Sequence, residues 1–173
     1  MQLVVSGIRS EQWPSPTPCD DWTVRRVLAH LIGMDRVFTA LLTESPLPAR
    51  DEAPPADEQL PLALAASSTA LRTAFTRPGA LTRVLSSPMG SATGAERLQI
   101  RLYDLLAHGW DLARATGQRI EVSEDVAGAS LVLAKAQLID AARPGRFAPA
   151  QESDDGAPAL DRLAAFLGRS TSR

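Results

Sequence analysis

Three side chains in the sequence have the types and the spacing of metal ligands. His30 and His108 are the only histidines in the chain, and Asp104 lies four residues before His108. On an α-helix, residues four apart project from the same face about one turn from each other. A second helix that carries His30 would supply a third ligand. Two imidazoles and one carboxylate suit a divalent transition metal, zinc above all, and leave positions open for water or substrate.

The same residues also have an interpretation without a metal. A D-x-x-x-H pair is common on helices, and when partly exposed it forms an ion pair of small energy. His30 is then an unrelated core histidine bonded to a backbone carbonyl. The neighbouring residues favour the metal, because both histidines lie among leucines and burying an unpaired imidazole is costly. A thiol bound to such a metal loses its proton, which makes a thiolate available at neutral pH.

Apolar residues recur at helical spacing through most of the chain, and strand patterns are nearly absent. The chain at 44–61 is a solvated connection, 80–85 is extended or irregular, and 86–91 is rich in turn residues. These patterns predict an all-α bundle, in which ligand sites lie between facing helices. Helices are predicted at residues 22–43, 59–76, 92–116, 123–142 and 159–167.

Capping residues mark several of the predicted helix ends. Asp21 or Thr23 can cap the first long helix, and Ser123 opens the fourth. Pro61 fits the first turn of the second helix, where its missing donor costs nothing. Gly117 follows the third helix, at the position of a left-handed C-terminal cap. The fourth helix is expected to stop at the Pro-Gly pair 144–145.

Length and composition limit the classes of protein. The 173 residues suit one domain spanning 1–173, long enough to bury a core without disulfides. The formal charge of −2, with no basic stripe, gives no reason to expect nucleic acid, and no apolar run approaches the length of a membrane span. Cys19 is the only cysteine, which fits a reducing compartment and predicts a cytoplasmic protein. We interpret this thiol as a small buried apolar group and not as a nucleophile.

Arg101 is a candidate substrate-binding residue. It lies three residues before Asp104 and seven before His108, and therefore roughly on the same helix face. Its guanidinium could bind a substrate carboxylate through two hydrogen bonds. The alternative is an arginine that is solvated or paired within the structure.

Five other residues are expected to have structural roles. Trp22 and Trp110 are expected to be packing anchors and not substrate platforms. Asp111 and Arg114, three residues apart, are expected to pair on the helix surface. Met34 is expected to fill the core or to line a pocket near His30.

Two segments resemble a known family. The sequence TPCDDWTVR at 17–25, which leads to His30, and DLLAHGWDLARATG at 104–117 are similar to an actinobacterial metal-binding family. It is the family of the N-terminal domain of mycothiol-dependent maleylpyruvate isomerase, within the DinB-like superfamily. The tail DRLAAFLGR at 161–169 is similar to the single-domain members. The resemblance covers nearly the whole chain, and the run 108–117 is specific.

The resemblance implies a DinB-like four-helix bundle with a short C-terminal helix. It also implies a zinc-like divalent ion held by His30, Asp104 and His108. Relatives include enzymes that use a low-molecular-weight thiol, such as mycothiol or bacillithiol, as cofactor or co-substrate. The isomerase carries glutamate where this chain has Asp104. Because aspartate is one methylene shorter, the metal must lie nearer the helix that carries Asp104 or bind more weakly.

Two further differences from the isomerase and its relatives concern the two ends of the sequence. The isomerase has a second, C-terminal domain that contributes to its reaction, so maleylpyruvate isomerisation is not the expected activity of this chain. Relatives begin with a longer first helix than the two turns that residues 1–9 supply. We therefore expect a shortened start, or a partner such as a second copy of the chain that covers the exposed groove.

The function expected from these arguments is that of a thiol-dependent transferase or isomerase. The metal activates a small-molecule thiol, mycothiol by resemblance, and an electrophilic substrate enters from the open end. Both histidines are assigned to the metal, which leaves no imidazole for a Ser-His-Asp arrangement. One alternative is a non-catalytic metal-binding module that recognises a ligand or partner. Another is a metal-free interaction domain in which the same residues form a buried polar cluster.

Overall fold

The computed structural model of the chain describes residues 1–49, 53–87, 90–138, 143 and 147–171. Most of these residues are helical, and one pair of short strands interrupts the helices. No described helix is both long enough and apolar enough to pass through a lipid bilayer. The elements are α1 (Gln2–Ser6), α2 (Val24–Thr43), α3 (Leu60–Phe75), β1 (Val84–Ser87), β2 (Gly90–Thr93), α4 (Gly94–Thr116), α5 (Glu124–Gln137) and α6 (Ala159–Phe166).

Helix α4 lies at the centre of the packing. It contacts α2 on one side and both α5 and α6 on the other, while α3 packs along α2 and α6 packs along α5. One apolar cluster lies between α4, α5 and α6 and includes Trp110 and Leu163. A second joins α1 to α4 around Leu28 and Leu112, and a third, around Phe38, lies where α2 and α3 meet β1. Residues of α2 and α4 that face each other therefore lie inside the protein.

The helix ends agree with the capping residues of the sequence. The Thr23 hydroxyl accepts a hydrogen bond from a backbone N–H in the first turn of α2, and Ser123 does the same for α5. Pro61 lies in the first turn of α3. Gly117 adopts a left-handed φ of 69° directly after α4. These are the interactions that satisfy backbone groups at helix ends, so they fix where each helix begins and ends.

The hairpin formed by β1 and β2 corrects the all-α prediction. The two strands pair antiparallel, with Val84 opposite Thr93 and Ser87 opposite Gly90, in a stretch expected to be extended or irregular over 80–85 and turn-rich over 86–91. The sequence pattern did not predict paired strands, because each strand has only four residues and little apolar alternation. Arg97 of α4 donates to the Gly90 carbonyl oxygen at 2.6 Å, which ties the hairpin to the helix.

The predicted limits of two helices also change. Helix α4 begins at Gly94 instead of residue 92, because Ala92 belongs to β2 and Thr93 caps the helix together with Glu96. Helix α5 ends at Gln137. The predicted continuation over 139–142, and the expected stop at 144–145, lie outside the described residues.

Gly94 occupies a position at which no side chain fits. A β-carbon placed there would lie 1.9 Å from the backbone oxygen of Ala80, so Gly94→Ala must displace the chain that leads into α4. We expect this substitution to lower the free energy of unfolding by about 1–3 kcal/mol, as overpacking does. Urea denaturation measures the change.

Gly128→Ala is the matched control, because a β-carbon at Gly128, within α5, would contact nothing within 4 Å. Alanine at this position should stabilise the protein by about 0.5–1 kcal/mol. Equal unfolding midpoints for Gly94→Ala and the wild type would contradict the close approach between Gly94 and Ala80.

Candidate metal centre

The three predicted ligands meet where α2 and α4 pack together. His30 lies on α2, whereas Asp104 and His108 lie one turn apart on α4. Nε2 of His30 is 3.4 Å from Oδ1 of Asp104, and Nε2 of His108 is 3.5 Å from the same oxygen. The two imidazole centroids are 4.9 Å apart. One nitrogen from each histidine and one carboxylate oxygen thus surround a single small volume.

The separations between these atoms fit a shared metal ion. Both distances are longer than the usual N–H···O hydrogen bond of about 2.7–3.2 Å, so without a metal these contacts are long hydrogen bonds. Two atoms bound to one tetrahedral zinc, at bond lengths of about 2.0–2.2 Å, lie about 3.3–3.5 Å apart. The observed 3.4 and 3.5 Å have the second spacing. Together with the imidazole and carboxylate donors, this spacing makes the three residues suitable zinc ligands.

His108 is held in place by a carboxylate behind it. Its Nδ1 lies 2.9 Å from Oδ2 of Asp111, and because an ionised carboxylate can only accept, Nδ1 is the donor. Arg169 binds both oxygens of Asp111, with its Nε at 3.1 Å and its Nη2 at 2.8 Å. A proton fixed on Nδ1 leaves the Nε2 lone pair free to face His30 and Asp104. Carboxylates of this kind orient and strengthen histidine ligands in metal sites.

Arg101 is paired within the protein, which is the alternative that the sequence left open beside substrate binding. Its side chain is 1% exposed and donates to Oδ2 of Asp104, to Oδ1 of Asp35 and to the backbone oxygen of Leu31. The paired alternative is therefore the one that the contacts support. The reason is that Asp35 occupies a core-facing position of α2 and needs a cationic partner when it is buried.

Burial and hydrogen bonding shift the pKa values of Asp104 and His108 in opposite directions. Burial tends to raise the pKa of Asp104, but hydrogen bonds from His108 and His30 outweigh it and hold the pKa well below its usual value. Burial tends to lower the pKa of His108, yet its bonds to Asp104 and Asp111 raise the pKa above its usual value. Asp104 is therefore ionised at physiological pH, and a metal at this site would compete with a proton for His108.

Trp22 contacts both histidines, which the prediction of a packing anchor did not include. Its ring stacks on His108 with centroids 5.5 Å apart and planes 6° from parallel, and it meets the edge of His30 at 4.9 Å. Trp110 is a buried anchor as predicted, and its indole N–H binds Asp161. Trp22 therefore forms a wall of the site, whereas Trp110 belongs to the core.

The expected pair of Asp111 and Arg114 is wrong. Asp111 is fully buried beside His108 and takes Arg169 as its partner. The side chain of Arg114 is 44% exposed and lies 3.8 Å from Asp161 instead. Met34 is partly buried against the apolar cluster around Phe38, in agreement with core packing.

A cavity of about 350 Å³ opens above the three ligands. This volume lies within the range of small-molecule sites. Trp22, Phe147 and Leu167 supply apolar lining, and Cys19 lies on the same wall. Burial raises the pKa of the Cys19 thiol to about 11, so it stays protonated at neutral pH, as the interpretation of a small apolar group expects.

A second group of potential ligands shares His108. Cys19, His108 and Asp111 also place ligand atoms within 4.8 Å of one another. This group suits a metal less well, because both oxygens of Asp111 already bind Arg169. His30 and Asp104 therefore complete the better set around His108.

Sequence reasoning missed three residues that support the site. Asp35 carried a signal, since a charged residue at a core position of an apolar helix pattern indicates a buried partner. Asp111 also carried one, because it follows His108 by three residues and shares its helix face. Arg169 carried none. It reaches Asp111 from the tail after α6, across 58 residues of sequence.

Comparisons with known proteins identify the family of the chain. The family model of the mycothiol maleylpyruvate isomerase N-terminal domain matches residues 1–113, a range that includes all three proposed ligands. Two uncharacterized proteins of Mycobacterium tuberculosis, from strains CDC 1551 / Oshkosh and ATCC 25618 / H37Rv, are each 32% identical over 168 residues. Each alignment covers 96% of this chain and 90% of the relative. No solved structure matches the chain significantly. The chain therefore belongs to the family of the mycothiol maleylpyruvate isomerase N-terminal domain.

Proposed function

We propose that the chain binds one divalent transition metal, zinc by preference, through His30, Asp104 and His108. The observation that carries the proposal is the position of the two Nε2 atoms, 3.4 and 3.5 Å from one carboxylate oxygen at the base of a cavity. The packing of α2, α3, α4 and α5 supports the DinB-like four-helix bundle as the scaffold of this site. Imidazole and carboxylate donors are the usual ligands of catalytic zinc.

We further propose that the protein is a thiol-dependent transferase or isomerase. Three protein ligands leave a coordination position, and a divalent ion bound there lowers the pKa of a thiol to supply a thiolate at neutral pH. The thiol comes from a co-substrate and not from Cys19, which lies outside the group formed by His30, Asp104 and His108. Mycothiol is the co-substrate that the family description favours. Trp22 and Phe147 contribute apolar lining to the cavity, and the proposed electrophile enters through its opening.

A non-catalytic metal-binding module is the alternative. It is favoured by the histidine count, since the chain has two histidines and both belong to the cluster. No imidazole is left for general acid–base catalysis, the commonest role of histidine in enzymes. A cytoplasmic location suits either function, and the single thiol of the chain supports it.

Metal analysis followed by an activity screen separates these functions. Zinc-supplemented wild-type protein is expected to carry one equivalent of metal. Mixed with mycothiol and model electrophiles, it should form conjugates faster than the metal-free protein does. Metallated protein that is inactive across substrate classes supports the binding module. Wild-type protein that takes up no metal contradicts the metal site and leaves the metal-free polar cluster.

The contact between Asp111 and His108 gives a prediction about metal affinity. Asp111→Asn removes the anionic acceptor behind Nδ1, so the affinity for zinc should fall by about 10–100-fold. Competition with a chromophoric chelator measures the change, and circular dichroism checks the fold. Asp161→Asn is the matched control, because this carboxylate binds Trp110 away from the cluster. A folded Asp111→Asn variant with wild-type affinity would show that Asp111 does not support the ligand.

A further inference from the structure

The two oxygens of Asp104 have different surroundings. Oδ1 faces the Nε2 atoms of His30 and His108, whereas Oδ2 accepts a hydrogen bond from Nη1 of Arg101. The side chain of Arg101 is 1% exposed, so water does not compete for this bond. One oxygen is therefore directed to the candidate metal position and the other is bound on the opposite side.

Arg101 is itself fixed by residues of two other helices. Its Nε and Nη2 donate to Oδ1 of Asp35, at 2.9 and 2.7 Å, and Nη2 also donates to the Leu31 carbonyl oxygen at 3.0 Å. Oδ2 of Asp35 accepts from the hydroxyls of Ser67 and Ser68, at 3.0 and 2.7 Å. The network thus runs from α3 through α2 to Asp104 on α4, and it leaves the guanidinium little freedom to rotate.

We propose that Arg101 is a positioning residue that limits Asp104 to a single ligand oxygen. The inference rests on the proposed metal site. A free carboxylate can bind a metal through one oxygen or both, but an oxygen that accepts a charge-assisted hydrogen bond is less available as a second ligand. With His30 and His108, one oxygen of Asp104 gives three protein donors. Arg101 thereby preserves the coordination position that a thiol co-substrate requires.

The charges of the network determine which variants test this role. Arg101 lies between the two buried carboxylates of Asp35 and Asp104, so its removal alone would leave Asp35 without its cationic partner and change the net charge of the network. Breaking a buried pair on one side is strongly destabilising, whereas replacing both partners is far better tolerated. The double variant Asp35→Asn/Arg101→Met removes one charge of each sign. It therefore frees Oδ2 of Asp104 without changing the net charge of the network.

Cobalt(II) substitution reports the number of ligands directly. Four-coordinate cobalt absorbs visible light more strongly than five- or six-coordinate cobalt, so the spectrum separates coordination from stability. We expect strong absorption from the cobalt-loaded wild type and a several-fold loss in Asp35→Asn/Arg101→Met, where Asp104 is free to bind through both oxygens. Arg97→Met is the matched control. Arg97 is a buried arginine on the same helix, but it binds the hairpin. The cobalt-loaded Arg97→Met variant should retain the wild-type spectrum.

Each outcome bears on a defined claim. Wild-type absorption in the folded double variant overturns the role of Arg101 and leaves the metal site standing. Wild-type protein that binds no cobalt overturns the proposed metal function itself. If the double variant does not fold, Asp35→Leu/Arg101→Leu takes its place, since it also removes one charge of each sign and leaves no Arg101 donor to Oδ2 of Asp104. Unchanged absorption in this folded variant would then overturn the proposal.

Discussion

Replacing His108 with alanine is expected to abolish retention of the metal. His108 supplies one of three protein donors, and its Nε2 lies 3.5 Å from the oxygen shared with His30. Loss of a partner behind a ligand costs about 10–100-fold in metal affinity, so loss of the ligand itself should cost at least about 100-fold. Zinc titration by calorimetry, with metal analysis after dialysis, measures the effect.

Two further variants make this result specific. His30→Ala should produce a loss of similar size, because His30 faces the same oxygen of Asp104. Gln99→Ala is the control, since Gln99 lies on α4 but binds Gln137 away from the cluster. A folded His108→Ala variant that retains zinc as firmly as the wild type would remove His108 from the ligand set.

Acidification is expected to release the metal through protonation of His108. The hydrogen bonds of His108 to Asp104 and Asp111 raise its pKa above the usual value, so the metal-free protein keeps the imidazolium to a higher pH than a free histidine does. Below that raised pKa, each proton that the metal must displace lowers its apparent affinity about tenfold per pH unit. Asp104 does not add to this pH dependence of the metal affinity, because its pKa is held well below the usual range and it stays ionised.

Zinc competition between about pH 5 and pH 8 tests this dependence, since histidine titrates within that interval. Affinity should rise with pH and level off above the raised pKa of His108. Calorimetry in buffers of different ionisation enthalpy should detect one proton released from His108 on the acidic side. An affinity that does not change over this interval would contradict a metal-binding role for the imidazole.

The helices and the pairing of Asp104 with His108 were predictable from the spacing of residues. Helical spacing alone places Asp104 and His108 one turn apart, whereas the meeting of His30 with Asp104, 74 residues away, was implied by the family resemblance. The caps at Thr23 and Gly117 fix the ends of these two helices. Local rules were sufficient here because each depends on residues within a few positions of one another.

Contacts that depend on the tertiary fold were not predictable in this way. Arg101 was assigned to a substrate because helical spacing gives its face but not its partner, and Asp35 lies 66 residues away. Asp111 was paired with Arg114 for the same reason, whereas its partner Arg169 comes from the tail. The hairpin of β1 and β2 escaped prediction because its strands are short and depend on α4 for support.

Anomalous diffraction at the zinc edge, from crystals of the zinc-loaded protein, tests the proposed metal site most directly. We predict one anomalous peak, within about 2.0–2.2 Å of Nε2 of His30, one oxygen of Asp104 and Nε2 of His108. A peak between Cys19, His108 and Asp111, or no peak in this part of the protein, would contradict the assignment.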